Sequence, residues 1–243
     1  MREADILAAV RAGQHEPLEW ARLDLSPEVT IEVTCDALSV GGIRRAMSAR
    51  TTQHVADLLD CALLTPEIDD RIARFAEVRI QPQSQAPLDP APKSHACVRC
   101  REVTHDPWPL CFDCGEREHS AMIESAVMAA MQSRHVKPLD RSPLLYPTGK
   151  PWVLSKYQWE PWPHDDKTHQ VWIYGWRAMP SAKHKDGKLI QPLSCAHNLD
   201  HVDYSSLARF WRPHTPSGNA VGWAPALAVL GIPDRRIPGV PHV

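Results

Sequence analysis

The sequence predicts an α+β protein in which helices flank an antiparallel sheet. Three observations indicate this class. Apolar residues recur at helical spacing in some segments and at every second position in others. Two Cys-x2-Cys pairs stand close together and predict an inserted ribbon built on four cysteines. Twenty-three of the 243 residues are proline, about twice the usual share, and six of them fall in residues 213–243, which predicts a proline-rich extended tail.

Residues 1–80 are predicted to form an N-terminal α+β module. The predicted elements, in chain order, are a helix over 3–12, a β-hairpin or meander over 18–37, helices over 50–64 and 66–77, and a strand over 78–80. Thr65 and Pro66 have the residue types of an N-cap followed by a first helical position, which fixes the start of the third helix.

The rest of the chain is predicted to divide into four parts. They are a proline-rich linker over 81–94, the ribbon over 95–116, a helix plus a C-terminal β-rich module over 117–212, and the tail over 213–243. The longest predicted helix covers 116–136, and strands are predicted over 152–154, 171–176 and 189–190. Four prolines within 81–93 prevent either regular structure from continuing there.

The cysteine pairs predict one structural zinc ion. Cys97 and Cys100 are separated from Cys111 and Cys114 by ten residues, so two tight turns can each supply two thiolates to a tetrahedral ion. A shell filled by four thiolates leaves no position for a reacting water, which favours a structural ion over a catalytic one. Three nearby histidines are substitute ligands: His95, His105 and His119.

Composition excludes several other classes. The formal net charge of −2 lacks the excess of Lys and Arg that a dedicated nucleic-acid binder needs, so nucleic acid is not the expected partner. The first seven residues carry acidic groups, and no apolar run approaches the roughly 20 residues that span a bilayer. We expect a soluble protein made in the cytoplasm, with release to the envelope by another route left open. Cys35, Cys61 and Cys195 are expected to be reduced and structural.

Functional groups concentrate in residues 190–206. His197 and His201 would share a face of a helix, whereas His201 and Asp203 would share a face of a strand. Either arrangement would let ligands converge on a second metal, or let a carboxylate orient an imidazole for general-base chemistry. Tyr204 or Ser205 is then the group that is activated, or the proton donor. A third ligand for a second metal would come from His164, Asp165, Asp166 or His169; the alternative for these four is a solvated turn.

Several short motifs resemble an uncharacterised family of bacterial and phage-type proteins. The matching stretches are Val55-Ala56-Asp57-Leu58-Leu59, Leu64-Thr65-Pro66, Tyr174-Gly175-Trp176, Ile190-Gln191-Pro192, and His197 with Asp203-Tyr204-Ser205. The family joins N-terminal "VAD…L-T" helices to a C-terminal "YGW…IQP…H…DYSHG" module. The resemblance covers most of the chain except the ribbon and the tail. Some relatives are fused to cell-wall-binding modules, which implies activity on peptidoglycan or another envelope polymer.

The resemblance assigns functional positions to Tyr174, Trp176, Gln191, His197, Asp203, Tyr204, Ser205 and Lys150. The chain departs from the family at Ser206-Leu207, where the pattern has His-Gly, and His201 is the nearest substitute for that histidine. The ribbon is absent from the family pattern.

Two functions are consistent with these features. The first is a hydrolase of an envelope polymer or peptide, with His197, Asp203 and Tyr204 at its centre, His201 assisting, and Lys150 polarising a carbonyl or binding a carboxylate. Its groove would be lined by Trp159, Trp162, Trp172 and Trp176, although tryptophans also fill cores. The second is a non-enzymatic phage or bacterial protein that binds a host protein or nucleic acid through the ribbon and the aromatic loops.

Overall fold

The computed structural model describes residues 1–82, 92–105, 109–133, 142–159, 171–202, 204–214 and 222–242. Within these ranges it contains five α-helices and thirteen short strands. Four of the five sheets are purely antiparallel, and the fifth is a parallel pair of two-residue strands. The predicted α+β class, with an antiparallel sheet and flanking helices, is confirmed.

Four of the five described helices begin within a few residues of a predicted start, and the fifth, α5, was not predicted. They are α1 (Glu3–Arg11), α2 (Ala49–Leu58), α3 (Pro66–Phe75), α4 (Phe112–Gln132) and α5 (Trp223–Leu230). The hydroxyl of Ser48 accepts a hydrogen bond from the backbone of Thr51, and that of Thr65 accepts one from Ile68. These side-chain caps satisfy amide donors that a helix start would otherwise leave without a partner, and they confirm Thr65 as an N-cap.

The larger sheet brings together strands from both ends of the chain. Its order is β1 (Trp20–Ser26), β2 (Val29–Thr34), β13 (Phe210–Pro213) and β5 (Ala62–Leu63). The β1–β2 hairpin confirms the alternation predicted over 18–37, and Leu23 lies opposite Ile31 in its register. Phe210 and Trp211 of β13 have no exposed surface, so they lie at the centre of the main hydrophobic core.

The second sheet carries most of the chemically interesting side chains. It consists of β10 (Trp152–Val153), β11 (Val171–Arg177) and β12 (Leu189–His197). Its β11–β12 register shifts twice, once on each side of Ile173. An isolated bridge between Leu64 and Val153 joins this sheet to the edge of the larger one. The strand predicted over 189–190 is longer in the structure and extends to His197.

Three two-stranded pairs complete the described fold. They are β3 (Ser39–Val40) with β4 (Ile43–Arg44), β6 (Val78–Arg79) with β9 (Leu145–Tyr146), and β7 (His95–Ala96) with β8 (Val103–Thr104). A second, smaller hydrophobic cluster lies where α4 packs near β6 and β9, around Ile123, Val78 and Leu145.

Two sequence predictions are wrong in part. The helix predicted over 50–64 ends at Leu58, because Asp60 takes a left-handed conformation (φ 50°) and the next residues pair with β13 as β5. The tail is not extended throughout, because α5 lies within it and packs Trp223 against Trp211 at 5.1 Å between ring centroids. An eight-residue helix that is apolar on all sides has no periodic pattern to recognise.

Candidate functional site

The four cysteines of the ribbon form a compact group of sulfur ligands. Their Sγ atoms all lie within 4.8 Å of one another, and those of Cys100 and Cys111 are 3.7 Å apart. Four thiolates around a tetrahedral ion, each with a metal–sulfur distance of about 2.3 Å, lie about 3.8 Å apart. The group therefore has the dimensions of a tetrahedral metal site. It is the only such group of three or more His, Cys, Asp or Glu ligands among the described residues.

Local backbone structure places these sulfurs. The first pair follows β7 in a turn closed by a hydrogen bond from the Arg101 amide to the Cys97 carbonyl, at 3.0 Å. Cys111 is the N-cap residue of α4, and Cys114 lies in its first turn. The Val98 amide donates to the Pro109 carbonyl at 3.0 Å, which holds the two turns together. The substitute ligand His119 lies elsewhere, since its Nε2 is 2.9 Å from the Thr148 carbonyl.

His197 and His201 form a stacked pair of imidazoles. Their ring centroids are 4.0 Å apart and their planes differ by 8°. The ring of Trp152, which is 1% exposed, lies nearly perpendicular to both, at 6.0 Å and 6.4 Å between centroids. His197 ends β12, and His201 follows in a loop in which its amide donates to the Asn198 carbonyl at 3.3 Å. The pair is thus formed by a turn after a strand.

The stacking decides what the pair can bind. The lone pairs of an imidazole lie in the plane of its ring, and two parallel planes do not meet at one ion. In this arrangement the two rings cannot both ligate the same metal, so the geometry does not favour the second metal considered from the sequence. Asp203, His164, Asp165, Asp166 and His169 lie outside the described residues.

Tyr204 and Ser205 are buried, whereas residues of a site that faces solvent would be exposed. Tyr204 is 7% exposed, and its ring meets His119 edge-on at 5.9 Å between centroids. Ser205 has no exposed surface, and its carbonyl accepts a hydrogen bond from the Lys150 amide at 2.8 Å. In this conformation the Ser205 hydroxyl does not reach a substrate, so this residue supports the loop that carries Lys150.

Lys150 and Trp176 lie together beside that loop. The Lys150 Nζ is 5.6 Å from the centroid of the Trp176 ring, within the range of a cation–π contact. Trp176 has a positive φ of 56°, which is rare for a bulky residue and is typical of strained positions near functional sites. Trp162, the remaining aromatic residue assigned to substrate binding, lies outside the described residues.

Tyr174 and Gln191 make hydrogen bonds within the protein. The Tyr174 hydroxyl donates to Asp70 at 2.9 Å, and burial together with this bond raises the pKa of Tyr174. The Arg177 guanidinium also donates to Asp70. The Gln191 amide donates to the Pro192 carbonyl at 3.0 Å, and Gln191 lies opposite Gly175 in the sheet. Both side chains are therefore held by contacts within the protein.

Sequence reasoning missed a buried carboxyl group next to Gly175. Asp69 of α3 is 1% exposed, accepts a hydrogen bond from the Tyr146 hydroxyl at 2.8 Å, and has a pKa raised to about 7, mainly by burial. A Cβ atom on Gly175 would lie 2.7 Å from Asp69 Oδ2, so only glycine fits at that point of the Tyr174-Gly175-Trp176 motif. In the sequence, the only sign of this group was that Asp69 is an acidic residue on the inward side of an amphipathic helix.

The candidate site thus consists of the histidine pair with Trp152 beside it, and of neighbouring segments that carry the other predicted residues. Lys150, Tyr204 and Ser205 are linked through one loop contact, and Trp152 connects β10 to the two imidazoles. Comparison of the chain with protein-family models, curated proteins and solved structures found no match. Among the described residues, no helix has the length and apolar character needed to cross a membrane.

Proposed function

We propose that the chain is a hydrolase with a structural zinc ion, and that its chemistry is centred on the imidazoles of His197 and His201. The observation that carries the catalytic part is the stacked pair itself, half-buried and backed by Trp152. The substrate class, an envelope polymer or peptide, rests on the sequence resemblance.

Zinc is the ion that suits the ribbon best. Four sulfur ligands with the separation of a tetrahedron match its preferred coordination, and thiolates select soft or borderline ions over magnesium or calcium. A filled thiolate shell assigns this ion a structural role. Metal analysis of the purified protein by mass spectrometry should find one zinc per chain, and the Cys97→Ser/Cys100→Ser variant should contain none. A wild-type protein without zinc would contradict this assignment.

The histidine pair has the features of a general base. A neutral imidazole can accept a proton from water, which is the step that a hydrolytic general base performs. Each imidazole packs against its parallel neighbour and beside the perpendicular ring of Trp152, and these contacts favour one orientation of the pair. Lys150 Nζ, beside Trp176, supplies a cation for a carbonyl or carboxylate of the substrate.

Turnover of purified cell-wall fragments and peptides tests this proposal. Removal of a positioned general base costs about 10²–10⁴-fold in rate, so His197→Ala and His201→Ala should each fall into that range. His184→Ala is the matched control, because His184 lies in the exposed β11–β12 hairpin and should leave the rate unchanged. Full activity in His197→Ala, or no turnover by the wild type on any of these substrates, would refute the hydrolase.

A further inference from the structure

Helix α4 connects the metal ligands to the candidate site. Its first half buries one face, and the residues on that face include Cys114, Glu116, His119, Ser120 and Ile123. From Glu124 to Gln132 no residue of the helix is buried. Cys111 makes no side-chain cap hydrogen bond at the N-terminus. Ala126, Val127 and Ala130 of the second half pack partly buried against the smaller cluster, so the fully buried contacts of the helix lie in its first three turns, and the cysteine ligands are part of the first.

Glu116 joins α4 to the segment that precedes α2. Its carboxylate is 2% exposed and accepts hydrogen bonds from the Ala46 amide and from Arg45, both at 2.8 Å. The next residue after Ala46 in the chain, Met47, donates its amide to the Ser206 carbonyl at 3.0 Å. Met47 also accepts, through its carbonyl, the indole N–H of Trp152 at 2.7 Å. One end of this chain of contacts is the metal ribbon, and the other is the tryptophan that backs the histidine pair.

His119 forms a second connection one turn further along α4. Its Nε2 lies 2.9 Å from the Thr148 carbonyl, which can only accept, so this nitrogen carries the proton and donates. The same ring meets Tyr204 edge-on. Thr148 leads to Lys150, whose amide donates to Ser205. A Cβ on the intervening Gly149 would lie 2.5 Å from the Ser205 carbonyl oxygen, so these two loops pack closely.

We infer that the metal site controls the geometry of the histidine site through α4, and that His119 is the positioning residue that transmits this control. With the ion bound, the first turn of α4 is fixed, and Glu116 and His119 hold Ala46 and Thr148 in place. With the ion removed, the first turn loses the metal–sulfur bonds that restrain it, and the partly buried contacts of the second half lie too far along the helix to replace them. The Lys150 and Ser206 loops then lose the contacts that orient them. The meaning of this control rests on the proposed function, but its test does not.

Hydrogen exchange of backbone amides measures the coupling directly. The wild-type protein is compared with protein treated with EDTA, with EDTA-treated protein after Zn²⁺ is restored, and with Cys97→Ser/Cys100→Ser, which leaves the sequence of α4 intact. We expect the amides of Ala46 and Lys150 to exchange at least about tenfold faster without the ion and to recover on addition of Zn²⁺. Amides of β2 should not change, because that strand lies at the centre of the main sheet. Faster exchange confined to residues 95–111 would overturn the inference.

His119 variants test the same coupling in protein that keeps its metal. His119→Ala should retain one metal per chain and yet show faster exchange at Lys150, because the donor to Thr148 is lost. His119→Gln, which offers an N–H donor on a side chain of similar reach, should restore slow exchange. Ser125→Ala, on the exposed side of α4, is the matched control. Wild-type exchange at Lys150 in His119→Ala would overturn the positioning role, even if metal removal unfolds the whole chain.

These outcomes are separable from those of the hydrolase test. Exchange and metal content report the coupling whether or not any substrate is turned over. If the enzyme is active, His119→Ala should lower kcat in the metal-loaded protein, and His119→Gln should recover it.

Discussion

The main sheet and the ribbon differ in the number of apolar side chains that each buries. Around β2 and β13 the core contains residues with no exposed surface, such as Ile31, Val33, Phe210 and Trp211. The buried cluster of the ribbon consists of Cys97, Leu110 and Cys114, while Val98 and Val103 are 56% and 72% exposed. Burial of this small amount of apolar surface cannot offset the entropy of ordering some twenty residues.

The difference leads us to expect two means of stabilisation in one chain. The main core is held by side-chain packing, which contributes roughly 25 cal/mol for each Å² of apolar surface buried. We expect the ribbon to depend on bonds between its thiolates and an ion, which in small zinc domains supply the folding free energy outright. Core substitutions should therefore change the global free energy of unfolding, whereas changes on the ribbon surface should not.

The largest effect is expected at Trp211. Trp211→Ala removes a fully buried ring and leaves the Leu63 carbonyl without the indole N–H that it accepts at 2.7 Å, so the free energy of unfolding should fall by about 4 kcal/mol. Val103→Ala in the ribbon should change it by less than about 0.5 kcal/mol. Urea unfolding monitored by circular dichroism measures both. A loss of stability in Val103→Ala as large as that in Trp211→Ala would contradict the expected difference between the two regions.

The next largest effect is expected where α4 meets the main body. Burial raises the pKa of Glu116, and its ion pair with Arg45 opposes that shift. Glu116→Ala leaves a 6%-exposed guanidinium without its carboxylate, which should cost about 3 kcal/mol. Thermal unfolding of the metal-loaded protein measures the loss. Glu118→Ala, an exposed neighbour whose contact with Arg99 is 3.9 Å, is the control and should cost well under about 1 kcal/mol.

A pH effect is expected from Asp69. Its pKa is raised from 3.8 to about 7, mainly by burial, so the folded protein binds this proton more tightly than the unfolded chain does. The stabilisation is fully present below about pH 4 and is lost as the pH rises through about 7. Between these limits the free energy of unfolding should fall by on the order of 3 kcal/mol. Urea titrations across this range should show the slope in the wild type and not in Asp69→Asn; an unchanged slope in the variant would contradict the assignment.

The smallest effect is expected at the surface. Arg50 and Asp200 form an exposed ion pair at 2.7 Å beside the histidine loop, and such pairs contribute roughly 0.2–1 kcal/mol. Asp200→Asn should therefore lower the free energy of unfolding by less than about 1 kcal/mol, and the loss should shrink further in high salt. Urea unfolding at low and high ionic strength measures it. A salt-independent loss above this range would mean that the pair is part of the packed fold.

The Tyr174-Gly175-Trp176 motif shows which features of a site can be predicted from the sequence and which cannot. Its residues were assigned to a site from a resemblance, and the structure locates them on β11, with the Trp176 ring 5.6 Å from Lys150 Nζ. The need for glycine in the middle could not be seen, because Asp69 comes from a helix more than a hundred residues earlier. Contacts between residues so far apart in the chain leave no periodic pattern in either segment.

The sequence by itself determined the α+β class, most helix positions, the Thr65 cap and the four cysteine ligands, because each follows from spacing between near neighbours. Only the tertiary structure decided that His197 and His201 stack, that Ser205 is buried, and that α4 connects the ribbon to the histidine loop. Those features depend on loops closed by distant strands and on burial. Burial is a property of the whole packed chain, so it is not encoded at any one position.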